Sequence, residues 1–151
     1  YPVQLLVTLY VLVSAIGTGD ASYRPALCVL PVVFAGAFLQ FEFARKTVSE
    51  PKPSETMYSN VLGPRGATAA NVALAVIAVG ALLIVTEPWT LSGGAAVLLW
   101  APVALLIAPI YGAITFLRRD GEYPILPAVL FILLLYIVLI AAASTLSLSV
   151  G

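Results

Sequence analysis

The sequence has little charge and no histidine. Only 9% of its 151 residues are charged and 62% are hydrophobic, whereas a soluble domain carries roughly 25% charged residues. Such a small polar surface cannot cover a globule in water. We therefore expect the membrane to be the solvent of this chain. The net charge of zero gives no indication of nucleic-acid binding. The absence of histidine excludes His-ligated haem, most zinc sites and a histidine general base.

Cysteine and mid-membrane charge are also scarce. The single cysteine, Cys28, cannot form an internal disulfide, and it lies in an apolar run where we expect a small buried side chain. No acidic or basic residue falls at mid-membrane depth in the predicted helices. This pattern argues against an ion channel, a proton relay or an ion-coupled transporter, which usually need such groups. The GxSxG, HExxH, Walker and CxxC motifs are absent as well.

Long apolar runs predict five membrane helices, because a span needs about 20 apolar residues. The predicted helices are residues 2–16, 23–44, 67–85, 93–117 and 124–148. Pro31, inside the second run, predicts a kink, and the fourth run contains Pro102 and Pro109. Short connections favour antiparallel neighbours. The predicted fold is therefore an all-α membrane protein, with five transmembrane helices in an up-down bundle that forms one domain over residues 1–151.

The basic residues are unevenly divided between the two predicted sides of the membrane. Six of the seven lie in the second and fourth connections, and the seventh is Arg24. Basic residues favour the cytoplasmic side. We therefore expect an integral, multi-pass protein with the loop at 45–66 and the turn at 118–122 in the cytoplasm, and with the C-terminus outside.

One long polar stretch, residues 40–67, interrupts the apolar sequence. It contains four basic and three acidic residues: Arg45, Lys46, Lys52, Arg65, Glu42, Glu50 and Glu55. Carboxylates are ligands of Mg²⁺, and arginine or lysine binds phosphate oxygens, so this composition could hold a metal–diphosphate. A solvated loop that only orients the helices would have the same composition. The residues alone leave both interpretations open.

The order of residues within this stretch carries a family resemblance. The sequence reads FEFARK from Phe41, Glu-Pro from Glu50, ETMYS from Glu55 and LGPR from Leu62. These motifs resemble the second signature region of the UbiA superfamily of intramembrane prenyltransferases, in which some members carry FE-x-x-RK, an acidic patch, T-Y-S and L-G-P-R. Three further predicted helices follow the loop, as in that family. The resemblance therefore extends over the whole chain as the family's C-terminal half, helices five to nine.

The resemblance implies a helical fold around a cavity that opens laterally to lipid. It implies transfer of an isoprenoid from its diphosphate to a lipophilic or aromatic acceptor, with Mg²⁺ as the cofactor. Glu50 and Glu55 would stand at the metal, and Arg45, Lys46 and Tyr58 at the diphosphate. The implied partners are membrane lipids and an isoprenyl diphosphate.

Two departures from the family pattern bear on activity. The first signature of the family, of the N-D-x-x-D type, is absent from the sequence, and we expect it in a segment before Tyr1. The loop also carries Lys52, Pro53 and Ser54 where further acids are expected. The chain alone is therefore expected to be inactive. The alternative is a non-catalytic accessory or structural subunit of a larger membrane protein complex, in which other membrane subunits are its partners.

Overall fold

The computed structural model describes residues 2–20 and 22–148, and these residues form helices without β-strands. The helices are α1 (Pro2–Thr18), α2 (Leu30–Arg45), α3 (Ser59–Thr86), α4 (Gly94–Leu105), α5 (Ile107–Leu117) and α6 (Ile125–Leu148). Short 3₁₀ turns, Pro25–Val29 and Pro88–Thr90, precede α2 and α4. The all-helical prediction is confirmed for the described residues.

Four helical segments are long and apolar enough to cross a membrane. They are Pro25–Arg45, Ser59–Thr90, Gly94–Leu117 and Ile125–Ser144. The chain is therefore a multi-pass membrane protein with four candidate spans in its described part. The helix α1 has 17 residues, which at 1.5 Å per residue is about 25 Å, less than the roughly 30 Å of a hydrocarbon core. A fifth span at this helix stays a prediction.

Helices α2, α3 and α6 enclose the main apolar core. Its fully buried side chains include Val33, Ala37, Ala75, Ala78, Leu82, Phe131 and Leu135. At Gly36 the backbone of α2 comes so close to α3 that a Cβ would lie 3.0 Å from the Ala78 Cβ and 3.1 Å from the Leu74 carbonyl oxygen. Such close approach is how membrane helices gain dispersion contacts without a hydrophobic driving force between them.

The third helix begins earlier than the sequence predicts. Residues 59–66 were expected in the loop, but α3 starts at Ser59 and is kinked at Gly63, which has φ 71° and ψ 163°. Glycine tolerates positive φ, and Pro64 fits the first turn of the helix that continues after the kink. The Gly-Pro pair therefore bends the helix and does not begin it. The remaining connection, residues 46–58, is called the α2–α3 loop below.

Two further expectations are revised at the other helices. The predicted helix at 93–117 is two helices, α4 and α5, which meet at Leu106 between two prolines that lack the N–H for helix hydrogen bonds. Cys28 is exposed, so the expectation of a buried thiol is wrong. It lies in the turn Pro25–Val29, where no residue is buried. Residues 118–124, which join α5 to α6, are called the α5–α6 turn below.

Candidate functional site

The α2–α3 loop is bonded to the α5–α6 turn through the backbone. Val48 and Glu122 form an isolated antiparallel bridge. The Ser49 N–H donates to the Gly121 carbonyl oxygen at 2.8 Å, and the Gly121 N–H donates to the Ser49 hydroxyl oxygen at 2.6 Å. The two connections that the basic residues placed on one side of the membrane thus lie together at one end of the helices.

An ion pair joins the same two connections. Lys52 Nζ lies 2.9 Å from Glu122 Oε1. This hydrogen bond, with the negative charges of Glu122 and Glu55, raises the pKa of the Lys52 ammonium. Lys52 is therefore engaged with carboxylates of its own chain.

The α2–α3 loop also has internal bonds that order it. The Asn60 amide group donates to the carbonyl oxygens of Lys52 at 2.9 Å and Glu55 at 3.0 Å, and its oxygen accepts from the Lys52 N–H at 3.1 Å. The Tyr58 N–H donates to the Lys46 carbonyl oxygen at 2.9 Å. The loop is therefore a folded element, which distinguishes it from a loosely solvated linker.

The cationic residues predicted to bind diphosphate, Arg45 and Lys46, form a cluster with Glu42, which is called the Arg45 cluster below. Arg45 Nη1 lies 3.0 Å from one oxygen of Glu42, and Lys46 Nζ lies 3.6 Å from the other. Glu42 and Arg45 lie on one face of α2, and Lys46, the residue that follows the helix, reaches the same carboxylate, as spacings of three and four predict. Glu42 is 7% exposed, whereas the Arg45 side chain is 50% exposed. The carboxylate offsets part of the positive charge and leaves Arg45 accessible.

Tyr58 lies beside this cluster. Its ring stacks on Phe43, with ring centroids 4.0 Å apart and planes inclined by 5°. Lys46 Nζ lies 5.8 Å from the Tyr58 ring centroid, within the range of a cation–π contact. The structure therefore brings Arg45, Lys46 and Tyr58 together, while their binding of diphosphate stays a prediction.

The predicted metal ligands are arranged differently. Glu50 lines a cleft of about 430 Å³ between the α2–α3 loop and the α5–α6 turn, together with Lys52, Asp120 and Glu122. We call this the acidic cleft. Glu55 is exposed and is absent from its lining.

The acidic cleft does not fit a complete magnesium site. Across residues 2–20 and 22–148, no three Asp, Glu, His or Cys side chains are close enough to hold a metal ion. The three carboxylates therefore stand apart around the cleft, and one of them is paired with Lys52. Mg²⁺ requires near-octahedral oxygen ligands, so magnesium binding by Glu50 and Glu55 stays a prediction.

Two more cavities continue from the acidic cleft. The first, the arginine cleft, has a volume of about 430 Å³, contains Arg65 and Arg119, and shares Ser49 and Asp120 with the acidic cleft. The second, the apolar groove, has a volume of about 590 Å³, runs along α4, α5 and α6, and shares Arg119 with the arginine cleft. Acidic, basic and apolar linings thus follow one another from the loop end towards the membrane.

No protein-family model, curated protein or solved structure matches this chain. The arrangement of side chains at the loop end is therefore the basis for assigning a function.

A buried polar network lies between α2, α3 and the α5–α6 turn. Asn71 Nδ2 donates to the Gln40 carbonyl oxygen at 2.6 Å, and Asn71 Oδ1 accepts from Gln40 Nε2 at 3.3 Å. The Tyr123 hydroxyl lies 3.2 Å from Asn71 Oδ1 and 3.1 Å from the Pro109 carbonyl oxygen, so its one hydrogen serves one acceptor at a time. Burial raises the pKa of Tyr123, which keeps the hydroxyl a donor.

Sequence reasoning missed this network, although a signal for it exists. Gln40 and Asn71 are amides within otherwise apolar predicted helices, and polar side chains in membrane helices tend to bond across helices. Gln40 Oε1 is buried and has no hydrogen-bond partner among the described residues. The place of Asp120 and Glu122 in the acidic cleft was also not predicted, because these residues are distant in sequence from the motif.

Proposed function

We propose that the chain is the C-terminal half of a UbiA-like membrane prenyltransferase, which transfers an isoprenoid from its diphosphate to a lipophilic or aromatic acceptor. One observation carries the proposal. The α2–α3 loop is a folded element that brings an acidic cleft and an accessible cation, Arg45, to one end of a bundle of apolar helices. A substrate with a charged head and a hydrocarbon tail requires a site where charged side chains lie next to an apolar surface.

In the proposed reaction, the bond between the allylic carbon and the diphosphate oxygen breaks, and the diphosphate leaves with the electron pair. The acceptor then forms a bond to the allylic carbon and loses a proton. Arg45 and Lys46 stabilise the negative charge that develops on the leaving group, which is the term that usually contributes most to catalysis. Glu42 holds both cations in place, and Tyr58 fixes the loop against α2 through its stack on Phe43.

Titration with farnesyl diphosphate tests this proposal. Arg45→Ala is expected to weaken binding about ten-fold, or about 1.5 kcal/mol, the low end for a charge-assisted hydrogen bond because the side chain is half exposed. Arg24→Ala is the matched control, since Arg24 is exposed and lies outside the loop end. An unchanged dissociation constant for Arg45→Ala, measured by calorimetry in detergent, would contradict the assigned role.

A second candidate is an accessory subunit that stabilises a larger membrane complex. It is favoured by the internal pairing of three loop cations: Arg45 and Lys46 with Glu42, and Lys52 with Glu122. In this alternative, the loop only closes the end of the bundle. Chemical cross-linking in native membranes distinguishes the two, because an accessory subunit is recovered with a stoichiometric membrane partner and shows no binding of farnesyl diphosphate.

A further inference from the structure

The apolar groove has the dimensions and lining of a lipid-binding site. Its volume of about 590 Å³ falls within the range of roughly 300–1,000 Å³ of lipophilic ligand sites. Tyr111, Leu130 and Leu134 line it and are exposed at the outer surface of the helices. The groove therefore opens sideways, towards the acyl chains of a surrounding bilayer.

Two arginines that form no ion pair among the described residues lie where the groove meets the arginine cleft. Arg119 lines both the groove and the arginine cleft, and Arg65 lines the same cleft. Within the described residues, neither side chain forms a hydrogen bond or an ion pair. They differ in this respect from Arg45 and Lys46, which pair with Glu42.

The net charge of the arginine cleft matches that of a singly charged anion. Two arginines and Asp120 line the cleft, so two positive charges and one negative charge give a net charge of +1. The phosphodiester of a bilayer lipid carries one negative charge and neutralises this cleft.

We propose that the arginine cleft and the apolar groove together bind an anionic phospholipid of the surrounding bilayer. The phosphate lies between Arg65 and Arg119, and one acyl chain lies along the groove beside Tyr111 and Thr115. Basic pockets at the ends of membrane helices attract anionic lipid head groups in this way. The site is separate from the Arg45 cluster and does not rest on the proposed prenyl transfer.

Native mass spectrometry of the detergent-purified chain, titrated with phosphatidylglycerol or phosphatidylcholine, tests the head-group contact. The chain is expected to prefer phosphatidylglycerol. Arg65→Gln and Arg119→Gln should each reduce that preference roughly five-fold, from the usual contribution of a basic residue near an anionic surface. Arg118→Gln is the matched control, because Arg118 is exposed and lines neither the cleft nor the groove. An equal loss in the control would overturn the site.

A substitution in the groove tests the acyl-chain contact separately. Ala104 lines the groove and is exposed, so Ala104→Phe can fill the groove without crowding the core. It should reduce the binding of both lipids several-fold and leave the preference between them unchanged. Undiminished binding would show that the acyl chain does not lie in the groove. Thermal melting of each variant confirms that it is folded.

Competition with farnesyl diphosphate identifies the source of the phosphate. At equal concentration it should leave phosphatidylglycerol bound, because the diphosphate is predicted to bind at the Arg45 cluster. Displacement that depends on Arg65 and Arg119 would overturn the lipid assignment and make this cleft the diphosphate site. If farnesyl diphosphate binds elsewhere and the lipid is retained, both proposals are supported. If farnesyl diphosphate does not bind at all, that result counts against prenyl transfer and leaves the lipid site unaffected.

Discussion

Asn71→Ala is expected to destabilise the chain, because Asn71 joins three hydrogen bonds of the buried polar network. Its Nδ2 faces the Gln40 backbone carbonyl, which can only accept, so the orientation of the Asn71 amide is determined. Its Oδ1 must then accept from Gln40 Nε2 and the Tyr123 hydroxyl. The substitution leaves Gln40 Nε2 without a partner, beside an Oε1 that already has none. Tyr123 still has the Pro109 carbonyl oxygen as an acceptor.

The size of the effect follows from these contacts. Hydrogen bonds between membrane helices contribute about 0.6 kcal/mol each on average. A buried polar group left without a partner costs about 1–3 kcal/mol. Alanine recovers about 0.5 kcal/mol through its higher helix propensity. Asn71→Ala should therefore lower the free energy of unfolding by about 2–4 kcal/mol.

A double-mutant cycle with Gln40→Met separates two contributions: the cost of leaving the Gln40 amide without a partner and the loss of the hydrogen bonds themselves. Gln40→Met alone removes one long hydrogen bond and one unpartnered oxygen, so its effect should be below about 1 kcal/mol. In the double variant, methionine replaces Gln40, so no buried amide is left without a partner at this position. It should be more stable than the sum of the single effects predicts, by about 1–2 kcal/mol.

The free energy of unfolding can be measured by titration with sodium dodecyl sulfate in mixed micelles, followed by circular dichroism. A loss below about 0.6 kcal/mol for Asn71→Ala, the average for a single membrane hydrogen bond, would refute the network. Strict additivity in the cycle would show that Gln40 and Asn71 are not coupled.

Four further predictions concern the helices and the two connections at the loop end. Gly112→Ala should destabilise by about 1–3 kcal/mol in thermal unfolding, because its Cβ would lie 2.6 Å from the Tyr123 hydroxyl. Gly80→Ala, which meets nothing within 4 Å, should instead stabilise by about 0.5–1 kcal/mol. In a cysteine-free background, cysteines at Ser54 and Ser92 should react from opposite sides of the membrane, with the former cytoplasmic; reaction from one side would contradict the topology. The raised pKa of Lys52 means that its link to the α5–α6 turn is fully present below pH 10.5 and is lost as pH rises through the raised value. The pKa of Lys52, followed by NMR of its side chain, should fall towards 10.5 in Glu122→Gln, and an unchanged pKa would refute the link; the backbone bonds between Ser49 and Gly121 should keep the loop and the turn together in that variant.

Four of the five predicted spans are supported, because a single physical requirement, about 20 apolar residues, determines them. The break between α4 and α5 was not predicted, although Pro102 and Pro109 lie on either side of it and each removes a backbone donor. The start of α3 was missed because polarity was taken as the sign of a loop. Outside the hydrocarbon, a helix can carry polar residues such as Asn60 and Arg65, and the kink at Gly63 disguised its continuity.

The candidate site was predictable only where its contacts are local. The spacing of Glu42, Arg45 and Lys46 within one helix predicted their shared face. The pairing of Lys52 with Glu122 joins residues 70 positions apart, and no local pattern indicates it. Long-range contacts of this kind follow from the tertiary packing of helices, which the apolar pattern of each helix does not specify.

That long separation also affects the order of synthesis and assembly. The loop before α3 leaves the ribosome well before the turn that precedes α6, so its bonding partners do not yet exist when it first reaches the membrane surface. Chains grow at roughly 5–20 residues per second, and the loop therefore waits several seconds for Gly121 and Glu122. Until then neither the acidic cleft nor the arginine cleft can form. A nascent chain arrested after α5 would consequently contain three of the four candidate spans and the residues around Arg45, but neither of the two clefts.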